Sequence, residues 1–178
     1  MNDEGRPGTL VPGFAGPSGH TLLGIYLNDH LTGATVGMER SRHLTTTCRG
    51  TEIGDAIEPI TAEIAEDRRS LLALMRSLDV PVRRYKVYAG RLGERAGRLK
   101  SNGALIRRSP LSTLEELELL LIGVQGKACA WEVLRGLAEH DRRLDAAQLD
   151  GLLARARAQL RTIADLRLRQ AELTFRAP

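Results

Sequence analysis

The stretch that decides the fold is DVPVRRYKVYAGRLGERAGRLKSNGALIRRS, Asp79 to Ser109. It opens on Asp79-Val80-Pro81, where proline supplies no N–H and clashes with the preceding turn, so a helix stops there. It closes on Ser109-Pro110, a serine cap followed by proline at the first helical position. From Arg83 to Arg108 it holds nine basic residues and one acid, Glu94, a net +8 in a chain whose total is +4. The remainder therefore sums to −4, and the basic excess is local.

On both sides of this stretch apolar residues recur every three or four positions, the period of a helix with one buried face. A first helix, α1, is expected over about Thr21–Thr46 on Leu23, Tyr26, Leu27, Leu31, Ala34 and Met38. Gly33 and Gly37 fall on much the same line. A glycine in a helix interior costs roughly 1 kcal/mol against alanine, so a close approach by a neighbouring helix is the expected reason for them. Gly50 suits the left-handed residue after a helix, and Thr51 caps α2, which continues to about Leu78. Pro59 lies too deep for a first-turn proline and predicts a kink or irregular start near Ile57.

After the break, α3 follows Ser109 with a stripe from Leu111 through Leu121 and Trp131 to Leu134. Asp145 with Gln148 three residues on reads as a capping box for α4, which runs to about Phe175 with Leu173 on its stripe. The α1–α2 and α3–α4 connections are short, so each pair forms an antiparallel hairpin. The middle connection, about thirty residues, suffices to run the length of a helix of roughly 27 residues, about 40 Å. The expected fold is all-α, a four-helix bundle whose two hairpins are joined by a crossover that makes α2 parallel to α3. The alternative is an up-down-up-down bundle with the connection folded across one end.

At 178 residues the chain fits one domain, residues 20–178, able to bury a core without disulfides or metal staples. Residues 1–19, rich in Gly and Pro, are expected to be a flexible tail; they have neither the basic nor the apolar region of a signal peptide. The two cysteines, Cys48 and Cys129, have no metal-binding or disulfide-framework spacing, which fits a reducing cytoplasm. Cys129 is expected to be a buried, inert thiol beside Trp131. No apolar run approaches the ~18 residues of a membrane span.

Several polar residues interrupt the apolar stripes. Asp29 and His30 do so in α1, Glu63 and Asp67 flank Ile60 and Ile64 in α2, and Glu118 lies near the Leu114–Leu121 line in α3. Packed together they would place carboxylates and an imidazole at the bundle axis, the donor set with which helical bundles hold two iron or manganese ions. The competing expectation is a half-buried histidine and carboxylates paired with arginines. Glu39 and His43, four apart, read as an exposed pair.

Two hairpins with one long crossover resemble the ferritin-like superfamily. Its di-metal members carry a Glu on each of two helices and Glu-x-x-His on each of the other two. Here the residues three before His20, His30, His43 and His140 are Pro17, Leu27, Arg40 and Leu137, none of them Glu, and α2 and α4 contain no histidine. The resemblance thus covers topology from Thr21 to Phe175 and implies a scaffold without the family's metal motif. No cofactor is expected; if there is one, it is iron or manganese.

Within the crossover, Val82, Tyr85, Tyr88, Leu92, Ala96 and Leu99 recur at helical spacing. This predicts a short amphipathic helix whose basic face includes Arg84, Arg91, Arg95 and Arg98. Such a helix docks on its own bundle, or it binds anionic lipid or nucleic-acid phosphates. The leading expectation for function is a non-catalytic bundle with a polar core cluster and a structural or interaction role, associating with itself through the faces of α4. A carboxylate-bridged metal oxidoreductase and a polyanion-binding module are the alternatives, so whether the chain is an enzyme stays open.

Overall fold

The computed structural model of the chain describes residues 18–83 and 109–176. Those residues form four helices: α1, Gly19–Thr47; α2, Glu52–Ser77; α3, Pro110–Leu137; and α4, Ala146–Phe175. Each starts on a side-chain cap that satisfies otherwise orphaned N–H groups: Ser18, Thr51, Ser109 and Asp145. Between α1 and α2, Gly50 adopts φ +75 and Gly54 lies so close to the turn that a Cβ there would sit 2.2 Å from the Cys48 carbonyl oxygen. Asp79, at φ +56, ends α2: its N–H bonds the Arg76 carbonyl at 3.2 Å, and that of Val80 bonds the Met75 carbonyl at 2.8 Å. The irregular start expected near Ile57 is absent, because α2 begins at Glu52 and runs on through Pro59.

Contacts along each helix pair set the directions. Thr45 meets Thr61 at one end of α1–α2, and His20 Nε2 meets the Leu78 carbonyl at the other. Arg135 pairs with Asp150 and Gln170 bonds the Pro110 carbonyl, so α3 and α4 are antiparallel. His43 lies 3.5 Å from Glu116, while Leu22 and Leu23 share a pocket with Val133 and Leu137, so α1 and α3 are antiparallel too. Glu52 with Arg169 and Asp67 with Arg155 give the same relation for α2 and α4. With every neighbouring pair antiparallel, α2 and α3 lie across the diagonal from each other and are parallel. This is the arrangement expected for two hairpins and a crossover.

The described chain leaves α2 beside α1, where Asn28 bonds the Pro81 carbonyl and the Arg83 N–H at 3.0 and 2.7 Å. It resumes at Ser109, at the opposite end of the bundle. The basic amphipathic helix expected between these points lies outside the described residues, and so do residues 1–17 of the tail. Among the described residues no helix is long and apolar enough to cross a membrane.

The core divides in two. One apolar cluster gathers Leu27, Leu31, Leu74, Met75, Trp131, Leu134 and Leu149 at the α1 N-terminal end. The other gathers Leu44, Ile57, Ile60, Leu117, Leu120 and Ile163 at the far end. Leu120, not Leu121, is the fully buried residue of that turn, and two leucines placed on apolar stripes, Leu111 and Leu173, are exposed. Polar side chains at the level of Thr35, Asp67, Lys127 and Gln159 separate the two clusters.

Candidate ligand cavity

The polar layer is built around Asp67, whose side chain is 1% exposed. A carboxylate this deep is costly unless its charge is matched and its oxygens are hydrogen-bonded. Both conditions hold. Lys127 Nζ donates to one oxygen at 2.5 Å and Arg155 Nε to the other at 2.8 Å. Lys127 donates also to Gln159 Oε1 at 2.5 Å, and Gln159 Nε2 donates to Glu63 at 2.7 Å. The network thus joins α2, α3 and α4, while Arg68 Nε donates to Thr35 Oγ1 at 3.0 Å and brings in α1. Burial pulls the Lys127 ammonium below its ordinary pKa, and the Asp67 carboxylate opposes that shift.

Beside this layer, between α1 and α3, lies a cavity of about 330 Å³. Its lining runs from exposed Asp29, Gly33, Ile122 and Gly123 inward to Ile64, Asp67 and Leu71 of α2. Four helical glycines line it: Gly33 and Gly37 from α1, Gly123 and Gly126 from α3. A Cβ added at any of the four meets nothing within 4 Å. The close helix approach expected at Gly33 and Gly37 is therefore absent; these glycines border open space.

The aromatic wall is Tyr26, His30 and Trp131. The Tyr26 and His30 rings meet edge-on, with centroids 4.4 Å apart and 66° between their planes. Burial lowers the His30 pKa from 6.5, with the Asp29 charge acting the other way, so the imidazole is neutral at pH 7 and offers one donor and one acceptor. Trp131 is 2% exposed, and its Nε1 finds no hydrogen-bond partner among the described residues.

Of the residues expected to converge, Asp29, His30 and Asp67 line this one cavity, and Glu63 is tied to Asp67 through Gln159 and Lys127. Glu118 stands apart, 3.4 Å from Arg167. Among the described residues no three His, Cys, Asp or Glu side chains are grouped so as to hold a metal ion; the carboxylates meet cations and an amide instead. Of the basic residues, Arg84, Arg91, Arg95 and Arg98 lie outside the described residues. Cys129, expected to be buried, is exposed, because it falls on the outward side of α3. His43, expected in an exposed pair with Glu39, lies 3.5 Å from Glu116 of α3.

Lys127, Gln159, Gly123 and Gly126 were not foreseen. Lys127 falls between Val124 and Trp131 on the apolar line of α3, and Gln159 between Ala156 and Ile163 on that of α4. A polar residue on a core line was the available signal. No protein-family model matches the chain, and neither the curated proteins nor the solved structures yield a significant match.

Proposed function

We propose that this protein is a non-catalytic helical bundle that binds a small, neutral, mostly apolar molecule in the α1–α3 cavity. The observation that carries the reading is the glycine quartet. Alanine in place of each would favour the helix by about 1 kcal/mol, and nothing within 4 Å stands in its way. Four such positions around one space fit a space that is kept open. A volume near 330 Å³, with mostly apolar walls and a few polar groups, suits a small ligand.

The lining favours a neutral guest. Its charged side chains are Asp29, Asp67, Arg68 and Lys127, two of each sign. The buried Asp67 and Lys127 neutralise each other, so an ion entering there would meet no unmatched partner of opposite charge at depth. His30 and Trp131 supply polar handles. The directions of the helices support a ferritin-like scaffold, and the two free cysteines fit a reducing cytoplasm.

Trp131, the only tryptophan of the chain, is a built-in reporter. Toluene is expected to raise the melting temperature and to change Trp131 emission in a saturable way. The double variant Gly33→Leu/Gly123→Leu, which fills the cavity, should stay folded and lose both responses. An unsaturable response, or one that survives in the filled variant, contradicts the proposal.

A further inference from the structure

Lys127 is the only lysine among the described residues, and it stands in the polar layer rather than on the surface. Of the 26 basic residues of the chain, only Lys86, Lys100 and Lys127 are lysines; every other is arginine. Arginine serves the same layer twice, as Arg155 on Asp67 and as Arg68 on Thr35. The two cations differ chemically. A guanidinium keeps its proton throughout, whereas a buried ammonium can give one up and become a nucleophile. Lysine at this position puts an amine able to form a carbon–nitrogen bond against the cavity. Both Lys127 and its acceptor Asp67 belong to the lining, which leads inward from exposed Asp29 and Gly33. The Lys127 side chain is 13% exposed, so the layer does not seal it off.

We infer, on the ligand-binding reading above, that Lys127 holds an apolar aldehyde in this cavity as a Schiff base. Asp67 takes a proton from the ammonium while its other oxygen stays on Arg155. The freed amine adds to the carbonyl carbon, forming the C–N bond as the C=O π pair moves to oxygen. A proton passes from nitrogen to that oxygen, and the proton held by Asp67 follows it. Water leaves with the C–O electron pair, and the nitrogen lone pair closes the C=N bond. One ammonium and one aldehyde thus give one iminium and one water, with no redox step. A single positive charge faces Asp67 before and after, so the layer keeps a balance that is costly to upset at this depth. The remaining N–H still serves Asp67, and Gln159, released by Lys127, keeps its bond to Glu63. Burial pulls the Lys127 ammonium below its ordinary pKa and so favours the free amine, against the pull of the Asp67 charge. The apolar walls suit the rest of the guest.

Benzaldehyde, which is toluene with a formyl group in place of the methyl, is the probe. With sodium cyanoborohydride near neutral pH, the full chain should acquire a benzyl group on Lys127, located by peptide mass mapping. Labelling there should run on the order of tenfold or more faster than at Lys86 or Lys100, because the cavity holds the carbonyl beside the amine. Saturating toluene should suppress the fast labelling, and so should filling the cavity with Gly33→Leu/Gly123→Leu. In urea, where the cavity is gone, Lys86, Lys100 and Lys127 should react alike. Equal labelling of the three lysines in the folded chain overturns the inference, as does fast labelling of Lys127 that toluene leaves unchanged. A toluene-induced rise in melting temperature with Lys127 unreactive overturns it alone and leaves the ligand reading standing. No response to toluene overturns the ligand reading and this inference together.

Discussion

Asp67 is where one substitution should disturb the molecule most. Its carboxylate matches two cations, so Asp67→Ala leaves Lys127 without its ion-pair partner in the core, while Arg155, at the edge of the layer, keeps Glu66 at 3.4 Å. Removing one member of such a buried set costs about 3–5 kcal/mol, and urea denaturation should show a loss of that order. A loss well below that would mean the layer adds little. Lys127→Met should cost less, because Arg155 still serves Asp67. His30 gives a pH signature. Its folded pKa lies below the unfolded 6.5, so as pH falls the unfolded chain takes up a proton first and stability declines. The decline begins near pH 6.5 and saturates below the folded pKa, and His30→Gln should remove it. An unchanged pH slope in that variant would contradict the buried, neutral imidazole. Asp67 and His30 were legible in the sequence as polar residues on apolar stripes. Their partners were not, since Lys127 and Arg155 lie 60 and 88 residues from Asp67 and spacing within one helix says nothing about which neighbour faces it.

Local chemistry located the helices closely. Ser18, Thr51, Ser109 and Asp145 cap them, and Gly50 sits in the left-handed turn where its type suggested. The glycines within the helices were harder to read, because the same residue serves a close approach and an empty space. Gly54 serves the first, Gly33, Gly37, Gly123 and Gly126 the second. The two kinds should separate in thermal denaturation. Alanine at any of the four cavity positions should stabilise by up to about 1 kcal/mol, and Gly54→Ala should destabilise because its Cβ would meet backbone at 2.2 Å. Destabilisation at all five positions would mean the cavity glycines are packed after all. The stripes of α3 were misjudged by one residue at Leu121 and at the solvent edge at Leu111, since a run as apolar as Leu119–Val124 does not declare which face turns inward.

At the scale of the whole molecule, connection lengths were the readable quantity: two short and one long implied α2 parallel to α3, and the helix contacts show it. Spin labels at Arg76 and Glu139, in a background without cysteines, test this directly. The C-terminal ends of α2 and α3 should lie within about 25 Å of each other, whereas an up-down-up-down bundle would put them about 40 Å apart along the axis. The cavity was not readable, because it arises where two helices from different hairpins present glycines at the same level, beside a charged layer that halts the apolar packing. Its openness to a guest is the centre of this account. Xenon, which enters apolar cavities, gives the most direct measurement: in crystals held under xenon pressure, the gas should appear between Gly33, Gly123 and Trp131. A space that takes up no xenon, or that is filled by side chains of the protein itself, would contradict the ligand-binding reading.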